Sequence, residues 1–219
     1  MFDVNALIGL IVIIGVILLC YTHIEHLTNE VTYVKSSIDN REYLVRNAPN
    51  KEEAANILSK IRTSLLLLID HMNKKYVEGS EFKEESDNDK KGKDISISEA
   101  VKRLVKKFNP DNISESGASN KYTSYSVNKG EKIIFCLRQK DEAQSFVDIN
   151  VIKFVAIHEL AHIMTKSIGH EPEFWNNFKV LLKEATALEI YVKEDYSKSP
   201  KPYCGITVSD SPLYNMTST

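Results

Sequence analysis

The sequence predicts an α+β, predominantly helical domain behind a single transmembrane helix, and three observations lead to that class. The N-terminus is a long uncharged aliphatic run. Most later segments repeat their apolar residues every three or four positions, with one convincing hairpin among them. A helical stretch in the last third of the chain carries two histidines one turn apart with a glutamate between them. The 219 residues hold 28 Lys+Arg against 30 Asp+Glu, a net charge of −2, enough chain for one domain with appendages. Without a basic excess, nucleic acid is disfavoured as a partner. Cys20, Cys136 and Cys204 are too few and too widely spaced for a disulfide framework or a Cys-x-x-Cys metal site.

From Val4 to Thr22 there is no charge, and Ala6 to Tyr21 is almost wholly aliphatic. Nineteen helical residues reach roughly 28 Å, close to the roughly 30 Å hydrocarbon core of a bilayer. A cleaved signal peptide would want a basic start and a small-residue cleavage site, whereas this run opens on Met-Phe-Asp-Val-Asn and ends on Leu-Leu-Cys-Tyr. A buried core helix would show a polar stripe, and none is present. Residues 1–23 are therefore expected to be a membrane anchor, with residues 4–22 in the bilayer. Lys35 and Arg41 follow the span and no Lys or Arg precedes it, which places the domain on the cytoplasmic side of a single-pass membrane protein. Unpaired Cys136 and Cys204 suit a reducing compartment. The sequons at Asn112 and Asn215 argue the other way, although such short motifs recur by chance.

Ile24, Leu27, Val31, Val34 and Ile38 recur at 3, 4, 3 and 4. This heptad-like seam predicts a helical stalk over residues 24–48 and, through 24–38, a route to a homo-oligomer; a helix packed on the domain is the alternative. The domain itself is expected over 49–219. Pro49, Asn50 and Glu53 resemble a capping box, and Ala54, Ile57, Leu58, Ile61, Leu65, Leu68, Ile69 and Met72 give the next helix one apolar face. Residues 78–95 are charged, low in complexity and read as a flexible loop. A helix from Ser98 to Phe108 follows, stopped by Asn109-Pro110. Its Lys102, Arg103, Lys106 and Lys107 read as a solvated face, with nucleic-acid contact as the alternative. Tyr122–Val127 and Lys132–Arg138 read as strands joined through Asn128-Lys129-Gly130.

Chemistry enters at Val155–Met164, whose centre reads His158-Glu159-Leu160-Ala161-His162. Histidines at i and i+4 share a helix face, so both imidazoles can reach one Zn²⁺ at about 2.0–2.1 Å. Glu159 then sits beside the metal, where it can take a proton from zinc-bound water. Asp148 or Asn150 can cap the helix start. Gly169 can end the helix with positive φ, turning His170 back as a third ligand, and Pro172 suits the first turn of a new helix. Three protein ligands plus water is the usual catalytic zinc set. Histidines without metal, or a closed structural zinc, are the competing readings. Tyr203 and Tyr214 are candidates for oxyanion or substrate contact, although packing roles are common for tyrosine. Cys204 could act as a redox-linked ligand, or more plainly as a buried thiol. Glu184 and Glu189 read as solvated helix positions rather than ligands.

The stretch His158-Glu159-Leu160-Ala161-His162-Ile163-Met164-Thr165-Lys166-Ser167-Ile168-Gly169-His170-Glu171-Pro172-Glu173-Phe174-Trp175 resembles the WLM and SprT-like zincin metallopeptidases, most clearly over residues 150–185. The hairpin and the Tyr203-Cys204-Gly205 stretch are also similar to WLM-like peptidases carried by large DNA viruses. The resemblance implies zinc on His158, His162 and His170, Glu159 as general base, Phe174 and Trp175 as packing beneath the site, and an extended protein or peptide substrate pairing with an edge strand, for which Ile133–Leu137 is the expected candidate. The membrane run and the absence of a basic tail depart from DNA-directed members, so their role is not carried over. The sequence thus predicts a membrane-anchored zinc endopeptidase. A catalytically silent zinc-binding membrane or virion scaffold is the alternative, and a hydrolase acting on another bond is the third reading.

Overall fold

The computed structural model describes residues 4–79 and 88–214, with side chains left undescribed at 4–7, 22–29 and 88–96. The chain orders as α1 (Val4–Asn29), β1 (Val31–Lys35), β2 (Glu42–Arg46), α2 (Lys51–Asn73), a π-helical turn (Lys74–Glu78), α3 (Asn88–Lys107), β3 (Ile113–Glu115), β4 (Tyr125–Val127), β5 (Lys132–Phe135), α4 (Ile149–Met164), α5 (Pro172–Ala187), β6 (Lys201–Tyr203) and β7 (Ile206–Val208). This is a mixed α and β fold with a small sheet.

Aliphatic side chains along α1, among them Ile11, Val12, Ile13, Val16, Ile17 and Leu18, are exposed. Among the described residues no helix is long and apolar enough to cross a membrane. The described side chains of α1 run only from residue 8 to residue 21, and the rest of the expected anchor at 4–22 lies outside them.

The expected helical stalk over 24–48 is replaced after Asn29 by a β-hairpin. β1 pairs antiparallel with β2 in the register Val31↔Arg46 to Lys35↔Glu42. Val31, Thr32, Tyr33 and Val34 are β-branched or aromatic, and the turn between the strands is closed by Ser36 N–H donating to the Arg41 carbonyl at 2.9 Å, with Asn40 at φ 60°. The 3-4 spacing of the apolar residues is shared by a heptad and by a strand–turn sequence, and local β preference decides between them. The hairpin belongs to the main sheet, so residues 31–46 are part of the folded domain and the apolar seam of 24–38 does not run along one continuous helix.

That sheet has five strands in the order β1-β2-β3-β5-β4, and β6-β7 forms a separate pair. β2, β3 and β5 run parallel, while β4 returns antiparallel to β5 with Tyr125↔Ile134 and Ser126↔Ile133. The β4–β5 turn matches the predicted hairpin. Its Asn128 and Lys129 take φ 47° and 53°, and Gly130 takes φ +112°, where an added Cβ would stand 2.7 Å from the Lys107 carbonyl oxygen. Glycine is required there.

α2 lies across the sheet and touches α3, α4 and α5. Its predicted apolar face is buried, with Ala54, Leu58, Ile61, Leu68 and Met72 at 0 % exposure. The capping box is not formed: Asn50 is left-handed at φ 60° and its side chain makes no cap bond. α3 begins at Asn88, inside the segment read as a flexible loop, whose residues 80–87 lie outside the described part. Cys136 and Cys204 are not free thiols, since they form a disulfide with a Cα–Cα distance of 6.3 Å. It pins the β6–β7 tail to the end of β5 and removes the argument that unpaired cysteines gave for a reducing compartment.

Candidate metal centre and cleft

α4 is the central helix. Val151, Ile152, Ala156, Ile157, Leu160, Ala161, Ile163 and Met164 are each at most 1 % exposed, so it is enclosed on nearly every side except the one bearing His158 and His162. Asp148 starts it as predicted, its carboxylate accepting from the Asn150 and Val151 N–H groups at 2.8 and 3.3 Å. The exit differs from expectation. The helix stops at Met164 with Thr165 extended, and the Thr165 hydroxyl donates to the Ala161 carbonyl at 2.7 Å. Asn177 of α5 donates to that same hydroxyl oxygen at 2.9 Å. Gly169 has the predicted positive φ, 85°, but in the loop beyond the helix and not at its cap. From there the chain turns His170 back over α4.

The three imidazoles converge. His158 and His162 Nε2 are 3.1 Å apart, His170 Nε2 lies 3.2 Å from the first and 3.1 Å from the second, and this is the one metal-capable group of three among the described residues. Tetrahedral bonds of about 2.0–2.1 Å put ligand nitrogens about 3.3–3.4 Å apart, so the triangle fits one face of a zinc site closely. Three ring nitrogens cannot share one point if each carries a proton. Burial, together with the neighbouring histidines, pushes His158 down to about 3, and burial pushes His162 down to about 4, which leaves lone pairs for a cation.

Phe174 supports the cluster from below. It is fully buried, with its ring centroid 4.9, 4.4 and 4.6 Å from those of His158, His162 and His170. Trp175 flanks His170 at 5.6 Å. Burying Phe174 contributes about 2–3 kcal/mol and fixes the planes of three imidazoles at once.

Glu159, one residue past His158, is 4 % exposed and still lines a cleft of about 380 Å³ that also contains the three histidines. Burial pushes its carboxyl up to about 7, against hydrogen bonds from the Ser126 main chain and hydroxyl that favour the charged form. A carboxyl balanced near neutrality beside a ligand cluster is suited to moving a proton. The opposite wall is β4 and the residue before it, through Ser124, Tyr125 and Ser126. β5, expected to be the substrate-pairing edge through Ile133–Leu137, is interior between β3 and β4, and the free edge beside the cleft is β4.

Several weaker candidates lie elsewhere. Tyr203 is 1 % exposed and its hydroxyl is bonded to Ser124 Oγ, behind the cleft wall. Tyr214 is exposed under the Lys193 ammonium, 4.3 Å from its ring centroid. Tyr125 is the tyrosine that lines the cleft. Cys204 is held in the disulfide and is no metal ligand. Glu184 is neither ligand nor solvated: it accepts from Lys75 and Tyr76 at 2.7 and 2.6 Å and pairs with His71 at 2.9 Å, tying α5 to α2 and the π-helical turn. Glu189 is exposed at the end of α5.

Lys129 and Arg103 had no signature in the sequence. The Lys129 ammonium donates to the carbonyls of Thr165, Lys166 and Ser167 at 2.8, 2.6 and 2.8 Å. Arg103, read as part of a solvated face, donates to the Met164 carbonyl and stands 3.8 Å from Glu173. Two cations from different elements thus bind the carbonyls at the negative end of α4 and hold the loop that delivers His170. The only sequence trace of this is a lysine in the turn preceding the motif.

The chain is similar to several known proteins. Residues 37–214 match the family model described as the WLM domain. An uncharacterized protein of Acanthamoeba polyphaga mimivirus is 33% identical over 207 residues, covering 94% of this chain and 97% of that one. An uncharacterized protein of Invertebrate iridescent virus 6 is 33% identical over 82 residues, 37% of this chain and 44% of that one. The crystal structure of Wss1 from Saccharomyces cerevisiae is similar at a TM-score of 0.42 and 23% identity, over 67% of this chain and 88% of that one. With a family model spanning β2 to β7 and both site helices, the chain belongs to the WLM domain family.

Proposed function

We propose that this chain is a zinc-dependent endopeptidase anchored to a membrane by α1. The observation that carries the reading is the triangle of His158, His162 and His170 Nε2 atoms 3.1–3.2 Å apart with buried Glu159 on the same cleft wall. Zinc bound there would polarise a carbonyl oxygen and lower the pKa of water toward about 7.

The rest is the work of the chain itself. The free edge of β4 offers main-chain groups to an extended peptide, which can add as a further strand across the cleft. Glu159 accepts a proton from the attacking water and returns it to the leaving amine. Ser126, through its bonds to the carboxylate, keeps Glu159 oriented. The buried Phe174 holds the imidazole planes. Tyr125, on the cleft wall, is within the surface a substrate would touch.

The anchor rests on the uncharged run 4–22 and the exposed aliphatic side chains of α1. Its proposed orientation, with the domain on the cytoplasmic side, now rests on Lys35 and Arg41 alone, and the Cys136–Cys204 disulfide weighs against it. Labelling an added domain cysteine from either side of sealed vesicles tests it. The activity is tested on the full-length protein by zinc content and by cleavage of an unstructured protein substrate, with Glu159→Gln alongside. One zinc per chain in both proteins, and a 10²–10⁴-fold loss of cleavage in the variant, is expected. Stoichiometric zinc without Glu159-dependent cleavage refutes the peptidase and favours the silent scaffold.

A further inference from the structure

The histidine cleft has two lips of different make. One is β4 with the turn that follows it, and the other is the loop of Ser167, Ile168 and Gly169 that leads to His170. Ile168, on the second lip, is 88 % exposed, more than any other large apolar side chain among the described residues.

A single exposed aliphatic residue is ordinary on a protein surface, but the surroundings of this one are not. The chain on both sides of it is held. Before it, the Ser167 carbonyl accepts from the Lys129 ammonium at 2.8 Å, and the Lys166 main-chain N–H donates to the Glu173 carboxylate at 3.2 and 3.3 Å. After it, His170 Nε2 stands in the histidine triangle, 3.2 Å from His158 and 3.1 Å from His162. Ile168 is thus presented outward by a fixed segment. The core gains little from a side chain so exposed, so a polar residue would serve the fold as well; an aliphatic one is favourable only when something apolar covers it. Room for such a group exists beside it, since nothing lies within 4 Å of where a Cβ would stand on Gly169.

The charges of the cleft are spent elsewhere. The Lys129 ammonium serves three main-chain carbonyls. Glu159 is 4 % exposed and holds bonds from Ser126. Neither is placed to select a charged side chain.

We propose that Ile168 is a specificity-determining residue, which covers an aliphatic side chain next to the scissile bond, so that the cleft selects peptides carrying one there. The proposal rests on the zinc peptidase reading of the cleft and goes beyond it by naming the substrate class.

The test loads the full-length chain with zinc in uncharged detergent micelles and titrates it calorimetrically with short peptide hydroxamates. They differ only in the side chain beside the metal-binding group: none, isobutyl, ammonium or carboxylate. The compound without a side chain reports the metal site, and the ratio of the others to it reports Ile168. The isobutyl compound is expected to bind about tenfold tighter than the bare one, as for methylenes covered at an open rim, and the charged compounds no tighter than the bare one. Ile168→Glu should cut the isobutyl advantage to within about twofold and favour the ammonium over the carboxylate compound by about threefold, an order that Ile168→Lys should reverse. A residue that merely shaped the loop would not make the charge preference follow the new side chain. Equal binding of all the compounds to the parent, or the same charge order in both variants, overturns the proposal and leaves the zinc cleft standing. Binding of none of them, the bare compound included, overturns the metal reading and this proposal together.

Discussion

Replacing Lys129 by Met keeps the aliphatic stem and removes one ammonium group, so three carbonyls lose their shared donor. The three bonds, at 2.6–2.8 Å, reach Thr165, Lys166 and Ser167. A hydrogen bond to a charged group contributes about 1.5–3 kcal/mol when buried, but this lysine is half-buried and its own desolvation, which lowers its pKa, offsets part of the gain. A net loss of about 2 kcal/mol is expected. At about 2–4 °C per kcal/mol for a domain of this size, Tm should fall by about 4–8 °C. The loop released begins at the end of α4 and ends at His170, so the third ligand must be ordered at the moment zinc binds. Outer partners of metal ligands are worth about 10–100-fold in affinity, and Lys129, one step further out, should cost about tenfold. Zinc affinity from chelator competition, measured beside Tm, separates two roles. A lower Tm with zinc affinity unchanged within about twofold would refute the positioning argument and leave Lys129 as a helix-end cap; Lys129→Arg should restore part of both quantities if the cation is what matters.

Three further outcomes follow from the same geometry. In the zinc-free protein, burial raises Glu159 from 4.5 to about 7, so the folded chain holds this proton more tightly than the unfolded one. Stability is therefore lost as pH rises from about 4.5 through about 7, by about 3 kcal/mol when ionisation is complete. His158 and His162, depressed to about 3 and 4, contribute with the opposite sign and are common to the parent and to Glu159→Gln. The stability difference between those two proteins should thus shift toward Gln across that window in urea titrations, and a pH-independent difference would contradict the burial argument. Reducing Cys136–Cys204, which are 68 residues apart, should cost about 4 kcal/mol by loop-closure entropy; an unchanged melting curve after complete thiol labelling would show that the tail packs without it. Thr165→Val should cost about 1–3 kcal/mol by leaving the buried Asn177 amide without its acceptor, and full stability in the variant would mean that Asn177 finds another partner.

What the sequence made legible is what short-range spacing encodes. His158 and His162 are one helical turn apart with Glu159 next to the first, and His170 follows a single glycine. Their convergence needed no knowledge of the fold. Where spacing is ambiguous, the reading failed: Val31, Val34 and Ile38 satisfy a heptad, yet the chain pairs Val31 with Arg46, because strand preference and the Asn40 turn act on the intervening residues. Partners set by topology were out of reach. Nothing near Cys136 indicates Cys204, and whether β4 or β5 forms the sheet edge depends on β3 pairing parallel to β5. Glu184 shows the same limit, since a carboxylate on an amphipathic helix looks solvated until His71, Lys75 and Tyr76 arrive from α2 and the turn that follows it.

The β4–β5 turn explains how these separate elements form one site. On its β4 side, Ser126 meets Glu159, while Tyr125 and Ser124 wall the cleft. At its centre, Lys129 holds the loop that presents His170. Next to it, Gly130 lets the turn approach α3 and α4 closely: an added Cβ would stand 2.7 Å from the Lys107 oxygen and 3.1 Å from Ile163. Glu159, His170 and the edge of β4 are therefore all referenced to the one stretch from Ser126 to Gly130. A peptide adding to the edge of β4 would stiffen the strand that carries Ser126 and, through Lys129, the loop that carries His170. On the proposed reading, strand addition and the placement of His170 would be coupled through contacts already built into the fold, which is how a small sheet can position a centre built mostly on helices.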